Sequence, residues 1–247
     1  MGLVRFAIKS PLLVVWCLLG LLLSITTVPW LAETSILKLA GWWHRNLLRI
    51  LRVRVRVVGT PGALSGLMVS NHISWLDIIV LGSRFHTYFV SKAEVAKWPV
   101  VGTLARSAGT LFLPRGGDQS AAISRAMADR VSKGSYVLFF PEGTTYAGTE
   151  VHRFHPRLFA AAIESGVPVL PVALFYLHEP QPHPTVPYLG DQSLAANLWG
   201  LLQTPAIDVV IQVGHAIPAA AKQRKELAQE AQQQVTSLLQ TTIADHS

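Results

Sequence analysis

The chain has 247 residues, half of them apolar and 14% charged, which excludes a disordered chain and leaves room for one large domain or two small ones. Its net charge of +7 lies entirely in the first 60 residues, and the rest is neutral, so a nucleic-acid binder with a basic body is excluded. A single cysteine, Cys17, excludes an internal disulfide, and no Cys/His spacing of a structural zinc site occurs.

Residues Ser10 to Ala32 carry no charge. As a helix these 23 residues reach roughly 35 Å, enough for a hydrocarbon core of about 30 Å. Arg5 and Lys9 precede the run, so a cleavable signal peptide is the alternative, although no A-x-A pattern marks a cleavage site. Cations flank the run on both sides, which leaves open whether it spans the bilayer or turns back within one leaflet. After Glu33 the period becomes helical and amphipathic, with Ile36, Ala40, Trp43, Leu47, Ile50 and Leu51 opposite Lys38, Arg45, Arg49 and Arg52. This predicts an interfacial helix with Trp42 and Trp43 at headgroup depth; the competing reading is a helix laid on the globular domain.

Alternation in RVRVRVV predicts an edge strand with one buried face, its arginines discouraging edge-to-edge pairing. Further short apolar runs at 66–70, 87–91, 110–114, 136–140, 168–175 and 207–213 read as buried strands. Helices are expected at Ser74 to Ser83, Ala93 to Ser107, Gln119 to Ser132, Pro156 to Ser165 and Ser193 to Leu202. A closing helix carries Leu227, Ala231, Val235, Leu238 and Thr242 on one stripe. The alternation predicts a single α/β domain over 52–247, with a mixed or largely parallel sheet flanked by helices, behind membrane-associated helices over 1–51.

Nucleophile elbow, phosphate loop, dinucleotide fingerprint and H-E-x-x-H motif are all missing. What remains is a set of polar residues at strand ends, where α/β sheets gather ligands. His72, in NHISWLD after the first buried strand, has the pKa range of a general base, and Asp77 can meet it only if His72 sits in the turn before the helix. Ser74-x-x-Asp77 equally fits a capping box. Arg115 ends GTLFLPR, where its guanidinium can fork onto a phosphate or carboxylate. Glu142 precedes Gly143 and Thr144 in FFPEGTTYAG, a turn whose amides and hydroxyls suit an oxyanion or phosphate, or else a plain turn with a solvated acid. VPVLPVAL at 167–174 offers wall rather than reagent.

In this order, NH-x-S-x-x-D, G-x-x-F-x-x-R, FPEGT and VP-x-x-PVA resemble the four signature blocks of the glycerolipid acyltransferases, the family of 1-acylglycerol-3-phosphate acyltransferases. The resemblance covers Asn71 to Ala173. It implies transfer of a fatty acyl group from a thioester of coenzyme A or acyl carrier protein to a lysolipid hydroxyl, with no cofactor and no metal. His72 would then take the hydroxyl proton and Asp77 would orient the imidazole, while Asn71, Ser74, Arg115, Glu142, Gly143 and Thr144 would line the substrate site. Membrane lipids are the implied partners, at a bacterial inner membrane with the site on the cytoplasmic face.

Two departures bear on the acceptor. Thr145 stands where the family often has Arg after FPEGT, and Phe154-His155 replaces a frequently basic pair, although Arg153 and Arg157 lie nearby. Lysophosphatidic acid is the expected acceptor, with lyso-ornithine lipid as the alternative that needs no glycerol phosphate. A membrane lipid carrier, with the His72 segment serving only as a capped helix start, and a lysophospholipid hydrolase are the rival readings.

Overall fold

The computed structural model describes residues 1–61, 65–113 and 120–246. Helix α1 (Gly2–Thr26) leads into α2 (Glu33–Leu51), and then strands and helices alternate: β1 (Val53–Val58), β2 (Gly66–Ser70), α3 (Leu76–Arg84), β3 (Thr87–Lys92), α4 (Val101–Ser107), β4 (Leu111–Leu113), α5 (Ser120–Ser132) and β5 (Tyr136–Phe139). The chain closes with α6 (Ala160–Ser165), β6 (Val169–Leu177), α7 (Leu194–Gln203), β7 (Ile207–Val213) and α8 (Arg224–Ala244). One seven-stranded sheet takes the order β1-β7-β6-β2-β5-β3-β4. Its neighbours are parallel except β6 and β7, so β1 and β7 run against the other five strands. This is the mixed, mostly parallel sheet that the apolar runs predict.

Central strands are apolar throughout because both faces are covered. On β2, Leu67 and Val69 enter one core with Met127 of α5, Ala161 and Ala162 of α6 and Leu227 and Val235 of α8. Met68 enters the other, with Leu47 and Leu51 of α2, Leu76 and Val80 of α3 and Leu201 of α7. The result is three layers, helix on sheet on helix. Register sets up the site. β2 and β5 pair as parallel neighbours with Val69 opposite Phe139, so the segments beginning at Asn71 and Phe140 leave the sheet side by side. β6 pairs with β2 only as far as Val172 opposite Ser70 and then runs on to Leu177, overhanging the end of β2.

Helix α1 lies on α7, α4 and α2. Lys9, only 4% exposed, donates from Nζ to the Leu51 carbonyl at 3.0 Å and the Thr204 carbonyl at 2.7 Å, and Arg5 donates to the Gln203 carbonyl at 3.3 Å. These are the otherwise unpartnered carbonyls at the C-terminal ends of α2 and α7, where a cation is favoured. Trp16 and Trp43 exchange indole N–H bonds with each other's backbone carbonyl at 3.2 and 3.3 Å. The opposite face, with Val4, Ile8, Leu12, Val15, Leu18, Leu22 and Ile25, is exposed. Gly2–Trp30 contains an 18-residue window with a mean hydropathy of 2.3 and is long and apolar enough to cross a membrane by length and composition.

Three elements differ from expectation. The apolar stripe of α2 is turned to α3 and the core, where Leu47, Leu48 and Leu51 are buried, so the domain takes the face assigned to headgroups and leaves Trp42 exposed. The helix expected at Ala93 to Ser107 is a 3₁₀ turn at Ala93–Lys97 and then α4, because Pro99 has no N–H to continue a ladder. The one expected from Pro156 begins as a 3₁₀ turn at Arg157–Phe159 before α6. In α8 the stripe runs through Leu227, Ala231, Val235 and Thr242 as expected, with Leu239 rather than Leu238 fully buried.

Candidate active site

His72 sits in the turn between β2 and α3, one residue past the point where Asn71 closes the strand. Asn71, 1% exposed, donates from Nδ2 to the Leu174 carbonyl at 3.0 Å and accepts the Leu174 N–H at 2.8 Å. It thereby completes the ladder to the overhang of β6, which β2 is too short to reach. The turn then brings the His72 Nδ1 within 2.8 Å of Asp77 Oδ2.

Asp77 is the organising group. Its side chain is 0% exposed and still accepts four hydrogen bonds. Oδ2 takes the His72 ring, the Ile73 N–H at 2.7 Å and the Ser74 N–H at 2.9 Å, and Oδ1 takes the Tyr176 hydroxyl at 2.8 Å. The bond from Ser74 is the return half of a capping box, and Ser74 Oγ in turn accepts the Leu76 N–H at 3.4 Å. Capping and the His72 contact are thus made by one carboxylate at once, and the sequence alternatives are not exclusive. Burial and the Asp77 charge hold the Tyr176 hydroxyl well above its usual range, so it stays a donor.

With Nδ1 committed to Asp77, Nε2 is the nitrogen left for chemistry, and the His72 side chain is 17% exposed. Phe140 fixes the ring plane by stacking on it, with centroids 3.8 Å apart and planes 10° off parallel. The FPEGT segment grips the same residue through its backbone. Glu142 accepts the His72 N–H at 2.6 Å and the His152 N–H at 2.8 Å, and the Tyr146 N–H donates to the His72 carbonyl at 2.8 Å. Glu142 is 4% exposed, and burial pushes its carboxyl up to about 7 against the two amides that pull it down. Gly148 lets the loop close on the turn, since a Cβ there would lie 2.6 Å from Ile73 Cδ1. Gly143 has φ +73, and with Thr144 it lies exposed at the rim.

Of the residues expected to line the substrate site, Asn71, Ser74 and Glu142 have protein partners and form the frame around His72. Asn71 bonds the backbone of β6 and Glu142 the backbone of neighbouring loops, whereas Ser74 bonds within its own turn, to Asp77 and the Leu76 N–H. Gly143 and Thr144 remain open to a ligand, whereas Arg115 lies outside the described residues. Thr145 donates its hydroxyl to the Tyr188 carbonyl. Tyr176 and Phe140 belong to the site and were not singled out from sequence. The signal for Tyr176 was its phenol on the buried face of a long apolar strand, where a hydroxyl needs a partner.

The sequence profile described as Acyltransferase matches residues 54–175. Over 207 residues the chain is 42% identical to the lyso-ornithine lipid O-acyltransferase of Pseudomonas aeruginosa, covering 84% of this chain and 80% of that protein. It is 34% identical to the enzyme of the same name from Brucella abortus, over 90% of this chain and 91% of that one. It is also 34% identical to the 1-acyl-sn-glycerol-3-phosphate acyltransferase of Neisseria gonorrhoeae, over 59% of this chain and 57% of that one. The crystal structure of the 1-acyl-sn-glycerophosphate acyltransferase from Thermotoga maritima shares the fold, with a TM-score of 0.74 and 18% identity, covering 98% of this chain and 96% of that one. The chain belongs to the acyltransferase family, and its fold and sequence together make it an acyltransferase.

Proposed function

We propose that the protein transfers a fatty acyl group from a thioester of coenzyme A or acyl carrier protein to the hydroxyl of a lysolipid, with His72 as general base. The observation that carries this reading is the imidazole bonded to a buried carboxylate through Nδ1 and left with Nε2 for a substrate proton. The neighbouring hydroxyls are poor candidates for an acyl-enzyme, because Ser70 and Ser74 are fully buried. The nucleophile is therefore the acceptor itself. As its oxygen forms the ester bond to the thioester carbonyl carbon, His72 takes the hydroxyl proton, and the ionised Asp77 stabilises the imidazolium. Collapse breaks the C–S bond, and the imidazolium returns the proton to the departing thiolate.

Lyso-ornithine lipid is the first acceptor of this proposal. Its support is the pair of relatives named for that activity that match over most of their length, together with a loop in which Thr145 is tied to Tyr188 and offers no cation. The second acceptor is 1-acyl-sn-glycerol-3-phosphate, favoured by the exposed Arg153 and Arg157 and by the Neisseria relative. An acceptor panel with one labelled acyl thioester separates them. The larger kcat/KM is expected with lyso-ornithine lipid; the reverse order would assign the headgroup to phosphate, and free fatty acid formed without acceptor would make the protein a hydrolase.

The same proposal places the protein on the cytoplasmic face of a bacterial inner membrane, with α1 lying along the surface of one leaflet. Arg5, Lys9 and Trp16 bind one side of α1 to the domain along much of its length, which suits a helix lying in the interface better than one leaving the domain to cross the bilayer. With Cys17 replaced by Ala, cysteines placed at residues 3 and 25 should both react with a membrane-impermeant thiol reagent from the same side of sealed vesicles; labelling from opposite sides would mean that α1 spans.

A further inference from the structure

Helix α7 is almost wholly apolar, LAANLWGLLQ, and its one strongly polar residue in the middle, Asn197, is only 2% exposed. Asn is a poor helix former and its buried amide is costly unless bonded, so the position needs a reason other than packing. Every polar atom of the side chain is used. Oδ1 accepts the Trp75 Nε1–H at 2.8 Å, and Nδ2 faces the Thr185 carbonyl at 3.1 Å, the Pro187 carbonyl at 3.2 Å and Gln192 Oε1 at 3.3 Å. An indole can only donate and backbone carbonyls can only accept, so this orientation of the amide is the one that satisfies its neighbours.

Both ends of this network lead to the turn that carries His72. Trp75 belongs to that turn. Tyr188, the residue after Pro187, donates its N–H to the Ile73 carbonyl at 3.0 Å, and the Ile73 N–H donates to Asp77. The turn is therefore held from two sides: by the Glu142 loop at His72, and on the other side by Tyr188 at Ile73 and Asn197 of α7 at Trp75.

We propose that Asn197 is a positioning residue for acyl transfer, holding the turn from Ile73 to Trp75 through the Trp75 indole and the 185–188 segment so that His72 presents Nε2 to the acceptor. The proposal rests on His72 being the base. A displacement of about 1 Å at a reacting group can cost on the order of 10² in rate, so the effect belongs in kcat more than in KM.

The test measures kcat and KM with the preferred lysolipid for Asn197→Ala, Trp75→Phe, the double variant and His72→Ala, per mole of folded protein. Trp75→Phe keeps an aromatic ring and removes the donor together with part of the indole's bulk. It should lower kcat by about 10-fold and Asn197→Ala by about 10- to 100-fold, each with KM within about 3-fold of wild type. Because the two act through one network, the double variant should be no slower than Asn197→Ala alone. Wild-type kcat in Trp75→Phe, or losses that multiply in the double variant, would overturn the positioning role. If Asn197→Ala does not fold, Trp75→Phe alone decides. An inactive His72→Ala beside an unimpaired Trp75→Phe removes this inference and leaves the base standing; an active His72→Ala removes both.

Discussion

Two buried carboxylates meet at His72, Asp77 in the first turn of α3 and Glu142 on the loop after β5, and the protein uses them differently. Asp77 accepts four hydrogen bonds, one from the imidazole proposed as the base and one from a tyrosine hydroxyl. Glu142 accepts two, both from backbone amides, and burial lifts its carboxyl to about 7. The strongly perturbed acid in this site is thus the structural one. A shifted pKa marks a desolvated group; its partners say what it does. In the proposed mechanism Asp77 addresses a side chain that becomes cationic in the transition state, whereas Glu142 ties the His72 peptide to the loop at His152 and so holds one segment against the other.

This contrast predicts a graded series. Asp77→Asn should be the most damaging, lowering kcat on the order of 10³-fold or more, because the amide no longer carries the charge that holds the imidazole tautomer and stabilises its cation. Steady-state kinetics on folded protein check it, and an equal or larger loss in Glu142→Gln would break the comparison. In Glu142→Gln the new NH₂ group meets one of the two amide N–H donors, so about 1–3 kcal/mol of stability and roughly 10-fold in rate should be lost.

The same substitution tests the pH dependence. Glu142 holds its proton more tightly folded, at about 7, than at its ordinary value of 4.5, so between those values the folded state binds more protons than the unfolded one. The wild-type free energy of unfolding should therefore fall as pH rises from about 4.5 to about 7, by at most about 3 kcal/mol, and this component should be missing in Glu142→Gln. Urea titrations in detergent at several pH values measure it; identical slopes in both proteins would contradict the assignment. Tyr176→Phe removes one donor from Asp77 and leaves three, so its effect on kcat should be the smallest, about 3- to 10-fold, with about 1.5–3 kcal/mol lost from stability. A Tyr176→Phe enzyme as slow as Asp77→Asn would mean that the phenol, not the carboxylate, orders the site.

Much of this was legible in the chain because it is local. The strands at 66–70 and 136–140 are apolar runs, and His72 with Asp77 forms its contact within one turn. The capping reading of Ser74 and Asp77 was legible too, and it holds together with the His72 contact. What stayed hidden depends on partners far apart in sequence. Asn71 reads as a polar residue beside His72, yet its partner is the Leu174 backbone, which only the overhang of β6 brings there. Glu142 reads as a ligand contact, yet the parallel pairing of β2 with β5 aims it at a neighbouring peptide. The stripe on α2 reads first as a lipid-facing surface, because an apolar face does not say what covers it; here α3 and the core cover it. Pro99 is a local breaker within the segment expected to be a single helix, and it divides that segment into a 3₁₀ turn and α4.

The central claim is that His72 removes the acceptor proton with no acyl-enzyme on the way. Its most direct test is the rate of labelled acyl transfer to lyso-ornithine lipid by wild type and His72→Ala, with folding verified by matched unfolding midpoints, and with the intact protein weighed after exposure to thioester alone. The account predicts a loss of about 10² to 10⁴ in His72→Ala and no acyl adduct on the wild-type chain. Undiminished transfer in His72→Ala, or an adduct that passes its acyl group on to acceptor, would contradict it.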